Sequence, residues 1–141
     1  MCNLAVQRLR WLVHSLETQA KVVKWAGHDQ FFEHRYRADN KMADEMANRA
    51  LDHGFHCQYC MFDFGCGDHL AVYSDGACRG NPGLSGAGCV IVLFKQCLEP
   101  RVVATLSVPM GIGTNITAEF NAAVFGADLL IELLSLSLEG L

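Results

Sequence analysis

The stretch Leu70-Ala71-Val72-Tyr73-Ser74-Asp75-Gly76-Ala77-Cys78-Arg79-Gly80-Asn81-Pro82-Gly83 decides how this chain is read. An apolar run ends at a single carboxylate, Asp75, and small, turn-forming residues follow at once. Gly86 and Gly88 then lead into a second apolar run, Cys89 to Phe94. The pattern predicts a strand, a tight turn and an antiparallel strand. A charge at the end of a buried run is costly unless it is paired or binds a cation. Asp75 therefore calls for a partner.

Working downstream, Arg101 to Val108 predicts a third strand, stopped by Pro109. Gly111 and Gly113 open a loop, and Asn115 can cap a long apolar helix from Ile116 to Leu134. Upstream, Leu9, Leu12, Val13, Leu16, Ala20 and Val23 recur at helical spacing, which predicts a helix over Leu4–Ala26. Phe31, Phe32 and Tyr36 favour a strand over Gln30–Arg37. Asn40 is a candidate cap for a short helix over Lys41–Leu51 that ends near Gly54. His53 to Asp68 reads as an irregular linker. The expected organisation is residues 1–54, a linker at 55–68, and residues 69–141.

With 141 residues and 51% hydrophobic content, the chain can bury a real core and is not of disordered composition. No stretch reads as a membrane span, because the most apolar one, Phe120 to Leu138, is interrupted by Asn121, Asp128 and Glu132. Seven cysteines, an odd number, several of them inside apolar or helical runs, read as reduced thiols of an intracellular protein, cytoplasmic or nuclear. The net charge of -4 is unevenly spread. Met1 to Lys41 holds seven Lys and Arg against four Asp and Glu; the remainder holds four against eleven. A basic end beside a surplus of carboxylates suits a grip on a phosphate backbone next to a metal site, and it also suits ordinary surface charge.

Three segments present a carboxylate in a distinctive setting: Asp75 at the strand–turn, Glu119 in the first turn of the long helix, and Asp44 in the first turn or so of the short one. Together they resemble the ribonuclease H family. Asp75 to Gly83, followed by Gly86-Ala87-Gly88, is similar to that family's first strand and turn. Thr114 to Ala122 is similar to its first helix, and His34 to Asp44 to its last strand, His loop and final Asp. The resemblance implies an α/β fold with a mixed sheet flanked by helices, in which Gln30–Arg37 lies parallel to Leu70–Asp75. It implies hydrolysis of the RNA strand of an RNA/DNA hybrid by two divalent cations, magnesium or manganese. Asp75, Glu119 and Asp44 would be metal ligands, and His34 would assist proton transfer or product release. Cys78, Asn81, Asn115 and Asn40 would contact the substrate, where the 2'-OH can be sensed.

The chain departs from the family pattern in three ways. The last motif, at Asp44, precedes the first, at Asp75. A further strand with a metal-binding Asp has no counterpart, and Ile116 stands where an amide residue is usual. A circularly permuted domain and a segment cut from tandem units of a longer polypeptide both fit this order. The missing carboxylate also leaves open a second function, a non-catalytic module that binds nucleic acid or a protein. Cys57, Cys60, Cys66 and His69 could ligate zinc, although their spacing is not that of a standard knuckle.

Overall fold

A computed structural model describes residues 40–139. The helix expected at Leu4–Ala26, the strand expected at Gln30–Arg37, and His34 all lie outside the described residues. The described elements run α1 (Lys41–His53), β1 (His56–Tyr59), β2 (His69–Gly80), β3 (Gly83–Phe94), β4 (Arg101–Gly113) and α2 (Asn115–Glu139). The four strands form one open sheet in the order β1-β4-β3-β2, and every pairing is antiparallel. The expected meander of three strands is present as β2, β3 and β4. Among the described residues the sheet has no parallel pair, so the mixed sheet is not seen there.

Three local readings need correction. Asp75 does not end its strand. β2 continues to Gly80, and Asp75 pairs with Gly88 in mid-strand. Small residues on both partners let the ladder run on until Asn81 and Pro82, which make the turn. Pro109 does not stop β4 either. It pairs with Gly86 beside an irregularity at Ser85/Gly86, where a missing N–H is tolerated. The expected linker contains β1, which pairs with the outer edge of β4 from His56↔Ser107 to Tyr59↔Ala104. Beyond β1, Cys60 donates its N–H to the Val103 carbonyl, and Phe62 enters the core. Four residues are too short a run to show strand periodicity against a background of Cys and Gly.

The two helices lie on opposite faces of the sheet. Adjacent strand residues point to opposite faces, and Gly88 faces α1 while Cys89 faces α2. A Cβ on Gly88 would lie 2.2 Å from the Ala47 nitrogen and 2.3 Å from the Ala43 carbonyl oxygen. The Cys89 thiol donates instead to the Ala122 carbonyl at 3.2 Å, and burial pushes it up to about 12, so it is chemically quiet. The main apolar cluster forms under α2, from Cys89, Ile91, Leu93, Val103 and Leu106 with Leu129, Leu130, Leu133 and Leu134.

α1 is seated differently. Its buried residues are Ala43, Ala47 and Ala50, which share one face at helical spacing. Gly86 and Gly88 on β3 leave room for the helix backbone itself. The fully buried Ser107 adds a stitch from β4 by donating its hydroxyl to the Met46 carbonyl at 2.7 Å. Gly54 closes α1 at φ +84°, with its N–H on the Ala50 carbonyl. Among the described residues no helix is long and apolar enough to cross a membrane.

Candidate carboxylate centre

Asp75 lies on the α1 face of β2, because its cross-strand partner Gly88 does. With no side chain at Gly88, the first turn of α1 comes down onto the sheet beside it. Asp44 is the acidic residue of that turn. Its carboxyl lies beside that of Asp75, close enough to raise the latter's pKa. α2 approaches β2 by the same device from the other face. A Cβ on Gly76 would lie 2.3 Å from the Ala118 carbonyl carbon and 2.6 Å from the Glu119 nitrogen. Glu119 therefore starts from backbone packed against the residue next to Asp75. Glu119 is not in the first turn of α2 as expected but just past it, since the helix opens at Asn115 and not at Ile116.

The electrostatics follow from this crowding. Burial, then the hydrogen bond and charge of Asp44, then the charge of Glu119 push Asp75 up to about 6; a hydrogen bond from the Gly76 backbone opposes the rise. Like-charged carboxylates gathered at one place disfavour their own ionised forms, so the group gains from a proton or a cation.

The structure thus sets Asp44 beside Asp75 and leaves Glu119 further off, acting through its charge. It also gathers Cys78, Asn81 and Asn115 at the β2–β3 turn. Asn81 accepts the Asn115 N–H at 3.2 Å, and the Cys78 thiol donates to the carbonyls of Gly80 at 2.7 Å and Gly113 at 3.2 Å. Asn40 does not join that group. Its side-chain amide donates to the Ser74 carbonyl at 2.9 Å.

Both expected caps differ from the sequence reading. Asn40 makes no capping bond with its side chain. The long helix is capped by Thr114, not Asn115. Thr114 Oγ1 accepts the Thr117 N–H at 3.2 Å, and Thr117 Oγ1 accepts the Thr114 N–H at 2.9 Å, a reciprocal box. The sequence reading also missed Asn48, whose amide donates to the Asp44 carbonyl at 3.0 Å and reaches its Oδ1 at 3.5 Å. Its place four residues after Asp44 is the one signal that could have found it.

The zinc candidates do not assemble. Cys57 and Cys66 are exposed, the Cys60 sulfur sits against the Val103 carbonyl and the Arg101 guanidinium, and the His69 ring stacks on Phe94 at 4.7 Å. Among the described residues no group of three or more His, Cys, Asp or Glu side chains is drawn close enough to hold a metal ion, the three carboxylates included. What they do form is a pair, Asp44 beside Asp75, with Glu119 close enough to act on Asp75 through its charge. No family model, no curated protein and no solved structure matches this chain.

Proposed function

We propose that this chain carries the carboxylate centre of a ribonuclease H-type nuclease acting on the RNA strand of an RNA/DNA hybrid. The observation that supports it most is the convergence on Asp75 of Asp44 and Glu119, which come from two helices on opposite faces of the sheet. The antiparallel meander followed by a helix is the strand order the resemblance implies. Hard oxygen donors that crowd one another suit magnesium or manganese. Asp75, Asp44 and Glu119 would hold the ion once Glu119 is drawn in. A cation held there supplies Lewis acidity toward a phosphoryl oxygen and acidifies bound water. Below about pH 6 Asp75 holds a proton, and a cation that needs it ionised must displace that proton. Cys78, Asn81 and Asn115 offer polar atoms for the substrate's sugar edge.

With one family carboxylate lacking a counterpart, we expect one cation rather than two. Manganese, which dehydrates more readily than magnesium, should bind more tightly. The six described cysteines are free thiols, in keeping with an intracellular setting, cytoplasmic or nuclear, and the permuted motif order is in keeping with neighbouring units in a longer polypeptide.

The test is calorimetric titration of wild type and Asp75→Asn with each metal, alongside cleavage of a labelled hybrid. One site is expected, tighter for manganese, lost in Asp75→Asn, with cleavage appearing first in manganese. Metal binding unchanged in Asp75→Asn refutes the reading. A second reading, a module that binds nucleic acid or protein without cutting, is favoured by the lack of a closed three-ligand group. It predicts that hybrid or partner is retained equally by both proteins, with no metal and no cleavage.

A further inference from the structure

Asp44 can meet Asp75 only if the first turn of α1 is held at one height and one register above β2. The glycine seat at Gly88 sets the height. The Ser107 bond to the Met46 carbonyl and the Arg79–Asp52 ion pair at 2.6 Å hold the middle and the far end of the helix. Two asparagine amides restrain its first turn.

Asn40 binds both sides of the centre. Its Nδ2 donates to the carbonyl of Ser74, the residue before Asp75, at 2.9 Å. Its own carbonyl accepts the Asp44 N–H at 3.1 Å. The Asp44 carboxyl is thereby set beside that of Asp75. An Asn just before a helix normally turns its side chain onto the free N–H groups of the first turn. Here it forgoes that bond and spans to the neighbouring strand. Asn48 restrains Asp44 from the next turn, through its carbonyl at 3.0 Å and its carboxylate at 3.5 Å. Asparagine is a poor helix former, so this interior site is not explained by propensity.

We propose that Asn40 and Asn48 are positioning residues that hold the Asp44 carboxylate against Asp75, Asn40 by tying the helix start to β2 and Asn48 by fixing the side chain. The inference rests on the carboxylate centre being the working site. Residues that orient ligands from behind typically contribute a factor of ten or more to metal affinity.

The test uses the full chain with Asn40→Ala, Asn48→Ala, and Asn48→Gln, which keeps an amide donor. Alanine at position 48 favours the helix, so that variant should fold even where Asn40→Ala does not. Manganese affinity is expected to fall about 10-fold in each alanine variant and to recover in part in Asn48→Gln. Without metal, amide exchange at Asp44 should quicken in Asn40→Ala while the last turn of α1 is unchanged. Manganese affinity equal to wild type in both alanine variants, with or without a lower melting temperature, overturns the inference and leaves the proposed function standing. If wild type binds no manganese, the proposed function fails and amide exchange alone decides. Faster exchange at Asp44 then supports the clamp, and unchanged exchange overturns it.

Discussion

Where α1 meets the sheet it buries Ala43, Ala47 and Ala50; where α2 meets it, Leu129, Leu130, Leu133 and Leu134. The first contact is backbone on backbone, made possible by Gly86 and Gly88. The second is interdigitated side chains over Ile91, Leu93 and Val103. α2 combines both modes: it rests on Gly76 at its start and on leucines further along. Close backbone contact therefore occurs beside Asp44 in α1 and beside Glu119 in α2. A side chain launched from a tightly seated backbone has few ways to move, which suits a charged group that must meet another. Apolar side chains contribute more burial at the other end of α2, where position matters less.

The largest effect should come from filling the α1 seat. In Gly88→Ala the new methyl collides with backbone atoms of Ala43 and Ala47, which cannot swing away as a side chain would. Expected destabilisation is about 4 kcal/mol, at the upper end for overpacking. Urea denaturation checks it, and a loss under about 1 kcal/mol would show that α1 moves freely over the sheet. The α2 side should respond to removal, not addition. Leu133→Ala empties a site that is 1% exposed and should cost about 3 kcal/mol in the same measurement. Equal sensitivity to both kinds of change in both places would erase the contrast.

The smallest effect concerns Asp75, which lies between the two helix starts. Its folded-state value, about 6, lies above the 3.8 of an unperturbed Asp. Between those values the folded chain binds the proton more tightly than the unfolded chain. Its contribution to stability is thus complete below about pH 4 and is lost as pH rises through 6. Asp75→Asn removes the penalty, so at pH 7 it should be more stable than wild type by about 1 kcal/mol after allowance for solvent screening of a half-buried group. The difference should shrink toward zero at pH 4. Thermal unfolding at the two pH values measures it, and a variant less stable than wild type at pH 7 would mean that the three carboxylates do not crowd.

Much of the fold was legible because it rests on local pattern. Ala43, Met46, Ala47 and Ala50 mark α1 by period, and the runs at Leu70–Tyr73, Cys89–Phe94 and Val102–Val108 mark three strands by apolar content. Strand ends were not legible. Gly76, Gly86 and Gly88 look like turn residues, yet they lie inside long strands because two helix backbones need the space above them. β1 was hidden for a related reason. His56–Tyr59 has no pattern of its own and becomes a strand only because β4 presents a free edge.

The same division runs through the site. Asp75, Asp44 and Glu119 could be singled out from residue type and local setting, since each is a carboxylate at the start of a helix or in a glycine-rich strand context. Composition and periodicity also determined that this is a chain with a real core, two of its helices, and three of its strands. Only the tertiary structure decided that Asp44 lies beside Asp75, that Asn40 reaches Ser74 instead of capping its own helix, and that the four zinc candidates stay apart. The physical reason is range. Helical and strand periods act over a few residues, whereas Asn40 and Ser74 are 34 residues apart and meet only once β3 has paired with β2 and α1 has settled on its glycines.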